Sequence, residues 1–493
     1  MRKTRSFRQT KWSVKNRCIW FSSVFLLLTT AGGVALYLVG DAGITPRALG
    51  PYLERRSDGH HALIEGAGRL AGNWLVGLDR GVRPLPATAW SGRIGMQASD
   101  RAVAPSGMEV VVSDSAGLAR AFATAQSGQV ITLLPGSYRI RRTLEATRPG
   151  QAGAPIVVRA EQAGSARLEI EVLEGIRVSA PHWRFENLTL QGVCRRDDDC
   201  EHAFHVVGKA EYFVARNNLL LDFNAHIKIN GSKGRFPDHG LFDSNTLRNE
   251  HVRDTTRPVT PIDLVTASNW TIRHNLISDF IKGRGNRTSY GAFAKGGGGN
   301  NLLEQNVVIC EDRLRGAPGS RVGLSLGGGG TGKRYCRDGK CITEQDGSTL
   351  RANLIAACSD DGIYLNAAAQ SKILHNTLVD TGGISVRFPA SSADVEGNLV
   401  DGIIRARDGG LLRETDNLHS SVARLYVGSH PQRALFRDPV ALDLRWRDEA
   451  PRRAGQAMPP PDLCATTRPA APRYGAFEDF APCMADGAST PSN

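Results

Sequence analysis

A short motif, an asparagine next to apolar strand residues, recurs eight times between residues 185 and 400. The eight asparagines are Asn187, Asn218, Asn245, Asn275, Asn306, Asn353, Asn376 and Asn398. Their separations range from 22 to 47 residues, and a minimum of about 22 is what one turn of three short strands needs. Asparagine tolerates a left-handed corner, and stacked amides can hydrogen-bond from coil to coil. The repeat therefore predicts an all-β fold, a right-handed parallel β-helix.

This repeat also sets the domain boundaries. We expect the β-helix over residues 108–410, which open with a strand, a short helix and a second strand, and a C-terminal cap and tail over 411–493. Residues 41–107 have the pattern of a stalk, with an amphipathic helix followed by a linker.

The first forty residues have the pattern of a membrane anchor. Residues 1–17 carry seven Lys or Arg and no acid, and residues 18–40 contain no charged residue. At about 1.5 Å per residue this apolar run spans a bilayer core of about 30 Å, and it is longer than the roughly 7–15 residues of a signal-peptide core. We expect a transmembrane signal anchor, which makes this a single-pass protein of the bacterial inner membrane with its β-helix in the periplasm. A cleaved signal peptide is the alternative.

Charge and cysteine content limit the partners. The net charge is +12, but the basic N-terminus supplies seven of these charges, so the remainder is nearly balanced and nucleic-acid binding is not predicted. Eight cysteines follow Cys18, namely Cys194, Cys200, Cys310, Cys336, Cys341, Cys358, Cys464 and Cys483. An even number outside the cytoplasm indicates disulfides. Neighbouring cysteines pair naturally as 194–200, 336–341 and 464–483, which leaves 310–358; no metal-binding spacing is present.

One strand of each coil, read backwards from its asparagine, alternates apolar and polar residues. The apolar set would fill the core and consists of Phe204, Val206, Ile227, Ile229, Ile262, Leu264, Ala292, Ala294, Leu324, Leu326, Ile363, Leu365, Ile384 and Val386. The opposite face would form a polar strip along the solenoid, with His226, Lys228, Asn230, Asp263, Ser325 and Asn366 as predicted substrate-binding residues. An extended anionic sugar chain would fit along such a strip.

Three further segments support a family resemblance. These segments are the opening ITLLPGSYRI and GQAGAPIVVRAE and the late RYGAFE. Together with the asparagine repeat, they resemble chondroitinase B-like polysaccharide lyases, a group that includes alginate lyases. The similarity covers roughly residues 108–480. It implies a pectate lyase-like solenoid, an acidic polysaccharide as substrate or partner, and cleavage by β-elimination.

The resemblance also suggests catalytic residues. The strand and turn YGAFAKGGGGNN resemble the family strand that carries a base, which makes Lys295 the predicted base. Elimination also needs a cation to neutralise the uronate carboxylate and an acid for the leaving oxygen. Arg387 and Tyr364 lie on the same polar strip and are the predicted residues for these roles. A lysine crowded by cations loses its proton more readily.

The family pattern further implies calcium, held by two glutamates just before the base. Here Ser289, Tyr290 and Phe293 occupy that stretch, and the next coil, VGLSLGGGG, lacks the expected arginine. No cofactor is therefore firmly predicted, and calcium stays open.

Two other functions stay open as well. A non-catalytic polysaccharide-binding or assembly module would keep the polar strip without the chemistry. The pair Asp360–Asp361 resembles polygalacturonase-like hydrolases, in which two carboxylates lie about 5–9.5 Å apart across the bond. Because adjacent strand residues point to opposite sides, a partner carboxylate such as Asp263 would be required.

Overall fold

Three long parallel sheets run side by side along one axis in the computed structural model, which describes residues 39–40, 42–81, 92–98, 107–328, 330–454 and 461–484. Each complete coil gives one strand to sheet A, then one to sheet C, then one to sheet B. This is a parallel β-helix, as the asparagine repeat predicts.

The described strands of the three sheets have the following bounds. Sheet A consists of Glu109–Val112, Val130–Leu133, Ile156–Ala160, Trp183–Glu186, Val214–Arg216, Leu241–Asp243, Thr271–Arg273, Leu302–Glu304, Thr349–Arg351, Ser371–Leu374, Ser392–Glu396 and Leu411–Thr415. Sheet B consists of Leu144–Ala146, Glu174–Val178, His202–Val207, Ala225–Asn230, Ile262–Val265, Thr288–Lys295, Ser320–Gly327, Ile363–Asn366, Gly383–Arg387 and Ile403–Arg407. Sheet C consists of Gly136–Ile140, Ala166–Ile170, Thr189–Gly192, Leu219–Leu221, Thr246–Arg248, Leu276–Ser278, Val307–Ile309, Leu354–Ala356, Thr377–Val379, Leu399–Val400 and Leu418–His419.

Shorter elements cover the ends and edges of the solenoid. The described α-helices are α1 (Pro46–Ser57), α2 (Ala62–Arg80), α3 (Ser115–Thr124) and α4 (Val422–Tyr426). Short 3₁₀ helices cover Asp197–Asp199, Lys333–Tyr335, Arg433–Leu435 and Ala481–Cys483. Two small sheets comprise Gly298–Gly299, Gln345–Asp346 and Ala368–Ala369, and the antiparallel pair Phe436–Asp438 and Asp443–Trp446.

The core confirms the predicted alternation on sheet B. All fourteen apolar residues assigned to the interior are 0% exposed and belong to one continuous hydrophobic cluster. The polar residues between them therefore leave the opposite, outer face of sheet B. A second apolar cluster joins the outer face of sheet C to the C-terminal segment.

The repeated asparagines form a hydrogen-bonded ladder at the corner between sheets A and C. The side-chain oxygen of Asn306 accepts hydrogen bonds from the backbone N–H and the amide of Asn275, at 3.1 and 3.0 Å. Its own amide donates to the oxygen of Asn353 at 3.0 Å. The same pattern runs from Asn218 to Asn417, which the sequence motif does not include.

Details of this corner differ from the prediction. The residue with left-handed φ precedes each ladder asparagine, as in Gln305 at 53° and His375 at 51°, so the asparagine supplies the amide and not the bend. Asn187 occupies this preceding position, with φ of 62°, and Leu188 stands in the ladder, where its N–H donates to Asn218. The strand directly before each ladder asparagine belongs to sheet A, so the polar strip on sheet B comes one strand earlier.

Buried charges attach the helical pair α1 and α2 to the solenoid. Arg47 forms ion pairs with Asp79 at 2.8 Å and with Asp380 of the β-helix at 2.7 Å. Asp380 also pairs with Arg80 at 3.2 Å. Burial alone would raise the pKa of Asp380, but Arg80 and Arg47 outweigh burial and hold it below the ordinary value. The helical pair of the predicted stalk, residues 46–80, therefore packs on the solenoid.

All four predicted disulfides are present in the structure. They join Cys194 to Cys200, Cys310 to Cys358, Cys336 to Cys341, and Cys464 to Cys483. The second of these links neighbouring coils, and the others close local loops.

No helix in the part of the chain that the structure describes is long and apolar enough to cross a membrane. The longest, α2, has 19 residues but contains four charged side chains. This finding contradicts the predicted localisation as a single-pass inner-membrane protein with a periplasmic β-helix. The predicted tail at 1–17 and anchor at 18–40 lie outside the described residues, apart from 39–40.

The ladder predicts a large stability effect for one buried amide. We expect Asn306→Ala to lower the free energy of unfolding by about 2–4 kcal/mol, because the neighbouring amides and carbonyls lose buried partners. Asn73→Ala, at an exposed position of α2, is the control and should change stability by less than about 1 kcal/mol. Urea denaturation followed by circular dichroism measures both; equal effects would contradict the role of the ladder.

Candidate active site

Lys228, Asp263 and Lys295 lie near the carboxyl ends of three neighbouring strands of sheet B. Strand register places Lys228 beside Asp263, and Lys295 beside Val265 of that middle strand. The Lys228 ammonium lies 2.6 Å from the Asp263 carboxylate. Lys295 Nζ lies 4.2 Å from the centre of the Phe293 ring. Sheet B thus brings two cations and one carboxylate together on its outer face.

Lys295 has an altered proton affinity. Burial lowers its pKa, and the charge of Lys228 acts in the same direction, whereas Asp263 and Glu344 oppose both. The net pKa lies below the ordinary value for lysine. A larger fraction of Lys295 is therefore neutral near pH 7 than for a solvated lysine, which is the state that can accept a proton.

A cavity of about 920 Å³ opens beside this group. Its lining includes Lys228, Asn230 and Lys295 from sheet B and two loops, which we call L1 (231–236) and L2 (330–339). The charged side chains of the lining are the cations Lys228, Lys233, Lys295, Arg334 and Arg337 and the carboxylate Asp338. Such an excess of positive charge in a concave site favours an anionic ligand.

Arg337 fixes L2 against an earlier coil. Its guanidinium donates two hydrogen bonds of 2.8 Å to Asp238 and one of 3.1 Å to the carbonyl of Thr266. It also lies over the Phe236 ring, 4.3 Å from the ring centre. A paired guanidinium with this geometry holds both partners in one orientation. L2 therefore forms a fixed wall of the cavity.

Tyr364, Asn366 and Arg387 form a separate group further along sheet B. The Asn366 amide donates to the Tyr364 hydroxyl at 3.2 Å, and Arg387 pairs with Asp408. Strand register puts Arg387 three strands from Lys295, which is about 14 Å at the usual strand spacing. None of the three lines the described cavity.

His226 and Ser325 are covered by neighbouring structure. His226 is fully buried, with Nε2 at 3.1 Å from the Arg248 carbonyl and its ring edge-on to Phe223. Burial lowers the pKa of His226 to about 3, so the ring is neutral. The Ser325 hydroxyl is buried and donates to the Gly327 carbonyl at 3.2 Å. Alternation places both on the outer face, but adjacent segments close over them, and neither lines the cavity.

Several residues of the site lie outside the strands that the asparagine repeat identifies. Arg337 and Tyr335 line the cavity from L2, and the carboxylate of Glu344 is buried at 3% exposure near the base candidate. The available signal was the 47-residue separation between Asn306 and Asn353, which marks an insertion. Its length gives no information about the direction in which the loop folds.

The donor set near Lys295 does not fit calcium. Calcium takes about six to eight oxygen ligands, whereas the carboxylates near Lys295 are Asp263, which is paired with Lys228, and Glu344. A third carboxylate, Asp338 of the cavity lining, accepts hydrogen bonds from the backbone N–H groups of Lys340 and Cys341. Across the described ranges, no group of three or more His, Cys, Asp or Glu could hold a metal ion.

The aspartates considered for hydrolysis are widely separated. Asp361 precedes the strand Ile363–Asn366, three strands from the strand of Asp263, or about 14 Å at the usual spacing. Paired hydrolase carboxylates lie within about 9.5 Å. Asp361 is instead buried 3.5 Å from Arg405, and burial together with the charge of Asp360 raises its pKa to about 7.

The fold and cavity define a parallel β-helix protein with a cationic site at the carboxyl ends of sheet B. Among solved structures, the pectate lyase Pel9A matches with a TM-score of 0.53 and 15% identity, over 78% of this chain and 99% of that one. A rhamnogalacturonan lyase matches with a TM-score of 0.43 and 11% identity, over 62% and 81% of the two chains. An alginate lyase from Paenibacillus sp. str. FPU-7 gives 0.35 and 13%, over 63% and 99%.

These likenesses concern the fold. The predicted resemblance to β-helix polysaccharide lyases is confirmed at that level by the pectate lyase. No family model and no curated protein matches the sequence. Function therefore has to be argued from the site itself.

The contacts of Arg337 predict a local effect on L2. We expect Arg337→Ala to accelerate backbone hydrogen exchange in L2 by about tenfold or more, because the loop loses its attachment to Asp238, with little change in the core strands. Arg334→Ala, an exposed arginine of the same loop that lies over the Tyr335 ring, is the matched control. Mass spectrometry of exchanged peptides measures both; unchanged exchange in the first variant would contradict the attachment.

Proposed function

We propose that this protein binds an acidic polysaccharide along the outer face of sheet B and cleaves it by β-elimination, with Lys295 as the base. The observation that carries the proposal is a partly buried lysine of lowered pKa in a cation-lined cavity. A base and a positive field around the carboxylate are what elimination on a uronic acid requires.

The reaction can be assigned to residues of the cavity. Lys228 and the cations of L1 and L2 would attract the uronate carboxylate and stabilise negative charge as the C5 proton leaves. Neutral Lys295 takes that proton. The C5–H electron pair forms the C4–C5 double bond, the C4–O4 bond breaks, and its electron pair goes to O4. Tyr335, the phenol in the described lining, would protonate that oxygen.

The second polar group extends the binding surface. Tyr364, Asn366 and Arg387 share the outer face of sheet B with Lys295 but lie outside the cavity. In the proposed complex they contact further units of the polymer rather than the unit that reacts. This replaces the catalytic roles suggested for Tyr364 and Arg387 by the family resemblance.

A second candidate function is a non-catalytic binding module. The observation in its favour is the choice of acids in the cavity lining. Tyr335 is 58% exposed, and the described lining residues include no histidine that could act as an acid in its place. A cationic groove with a weakly held acid can bind an anionic polymer without turning it over.

A matched pair of lysine variants tests the base. We expect Lys295→Met to reduce turnover by about 10²–10⁴-fold, the usual contribution of a general base, with smaller loss of binding. Lys372→Met, an exposed lysine on sheet A, should leave turnover unchanged. Ultraviolet absorbance of the unsaturated product, measured on a panel of alginate, polygalacturonate and chondroitin sulfate, reports the reaction.

The outcomes separate the candidates. Full activity of Lys295→Met overturns its role as the base. A wild-type protein that binds one of these polymers without releasing unsaturated product supports the binding module, and reducing ends without unsaturation indicate hydrolysis.

The lowered pKa of Lys295 predicts a pH dependence. Only the neutral amine is a base, so kcat/KM should rise as pH increases through the pKa of Lys295. Asp263 raises that pKa, so Asp263→Asn should move the rising limb to lower pH. Asp394→Asn, an aspartate on sheet A that pairs with Arg413, is the control. A limb that stays in place or moves to higher pH in Asp263→Asn contradicts the assignment.

A further inference from the structure

A buried carboxylate, Glu344, lies beside the base candidate but outside the cavity lining. It follows L2 in the chain and is 3% exposed. Its backbone N–H donates to the Ala367 carbonyl at 2.7 Å, and its own carbonyl accepts from the N–H of Gly297 at 2.8 Å. Gly297 belongs to the turn that begins directly after Lys295. Glu344 is therefore fixed relative to the strand that carries Lys295.

One oxygen of this carboxylate has no hydrogen-bond partner. Oε1 accepts from the backbone N–H of Thr331 at 3.4 Å. Oε2 is buried and accepts no hydrogen bond among the described residues. A buried acceptor without a partner is destabilising, and such atoms are rare in folded proteins. The fixed position of Oε2 therefore suits a donor that reaches it at another stage of the protein's work.

Lys295 and Glu344 border the same small space, at Gly328. A Cβ atom added to Gly328 would lie 2.8 Å from Lys295 Cδ and 3.7 Å from Glu344 Oε2. The glycine thus keeps open the gap between the stem of the lysine and the unpaired oxygen. Lys295 Nζ lies over the Phe293 ring, 4.2 Å from its centre. Because lysine has a flexible four-carbon stem, Nζ can move from the ring toward Oε2.

We infer that Glu344 is a positioning residue for the base, and that its Oε2 accepts a hydrogen bond from the Lys295 ammonium once that ammonium has formed. In the proposed reaction the electron pair of neutral Nζ takes the C5 proton, which gives an ammonium with three N–H donors. A charge-assisted bond to Oε2 stabilises this product and holds the proton away from C5. The role rests on the proposed function, whereas the contact between the two side chains does not.

The other ionisable groups around Lys295 come from sheet B and from the two loops. The neighbouring strands contribute Lys228 and Asp263, while the outward residues Ser325 and Gly327 of the following strand are uncharged. L1 and L2 contribute Lys233, Arg334, Tyr335, Arg337 and Asp338. Asp263 Oδ1 is also without a partner, but Oδ2 already holds Lys228 at 2.6 Å. The described partner of the Glu344 carboxylate is one neutral N–H, so its charge is available to Lys295.

The first experiment needs no polymer. Trace acetic anhydride acetylates neutral amines, so mass spectrometry of the full chain labelled across a pH range gives a titration midpoint for Lys295. We expect Glu344→Gln to lower that midpoint by about 0.5 pH units or more, because the ammonium loses a stabilising carboxylate. Glu344→Asp, which keeps the charge but shortens the side chain, should lower it less.

Two controls accompany the labelling. Lys372, exposed on sheet A, should keep its midpoint in every digest. Glu304→Gln changes another buried glutamate, which pairs with Arg351 on sheet A, and should leave the Lys295 midpoint in place. A Lys295 midpoint that is the same in the wild type, Glu344→Gln and Glu344→Asp overturns the inference.

The second experiment measures turnover of polygalacturonate and of alginate as a function of pH. In Glu344→Gln we expect the rising limb of kcat/KM to move to lower pH, and kcat on the plateau to fall by about threefold or more, because Lys295 becomes a weaker base. KM should stay within about twofold, since Glu344 lies outside the cavity lining. A merely structural defect would lower the plateau without moving the limb.

Two further results are distinguishable. An active wild type whose limb and plateau are unchanged by Glu344→Gln overturns the inference and leaves Lys295 as the base. A labelling midpoint that moves in Glu344→Gln, with no unsaturated product from the wild type on either polymer, overturns the proposed reaction and the positioning role and keeps the contact between the two side chains.

Discussion

The ladder of buried asparagine amides is the constraint on which the rest of the structure depends. From Asn218 to Asn398 each amide donates to the asparagine of the next coil and to a buried carbonyl. An insertion at this corner would leave buried polar groups without partners, at a cost of about 1–3 kcal/mol each. Changes in coil length are therefore confined to the other two corners. The longest coil, between Asn306 and Asn353, carries L2 at the corner that leads from sheet B to sheet A.

The position of that insertion creates the cavity. L2 leaves the solenoid after Gly327 and returns toward an earlier coil, where Arg337 pairs with Asp238. A flat sheet face becomes a concave site with walls from two separate coils. Lys295 lines the same cavity as L2, and burial is the largest cause of its lowered pKa.

Cations on sheet B are distributed unevenly, and in the proposed function this distribution separates binding from reaction. Lys228 is neutralised by Asp263 and Arg387 by Asp408, so both are held in place more than they are reactive. Lys295 rests on an aromatic ring instead and lines the cavity. In the proposed function, a polymer is held at many points of this long face and altered only at Lys295.

The sequence by itself determined the parallel β-helix, the interior residues of sheet B such as Phe204 and Leu324, and the four cysteine pairs. The fold and the interior residues follow from local periodicity, because strand alternation and a repeated corner are encoded by neighbouring residues. The cysteine pairs follow from the even number of cysteines and their closeness in the sequence. Only the tertiary structure decided which outward residues form the site. Alternation gives the side of the sheet from which a side chain leaves but not what covers it, so His226 is buried, Arg387 lies apart, and Arg337 enters from a distant loop.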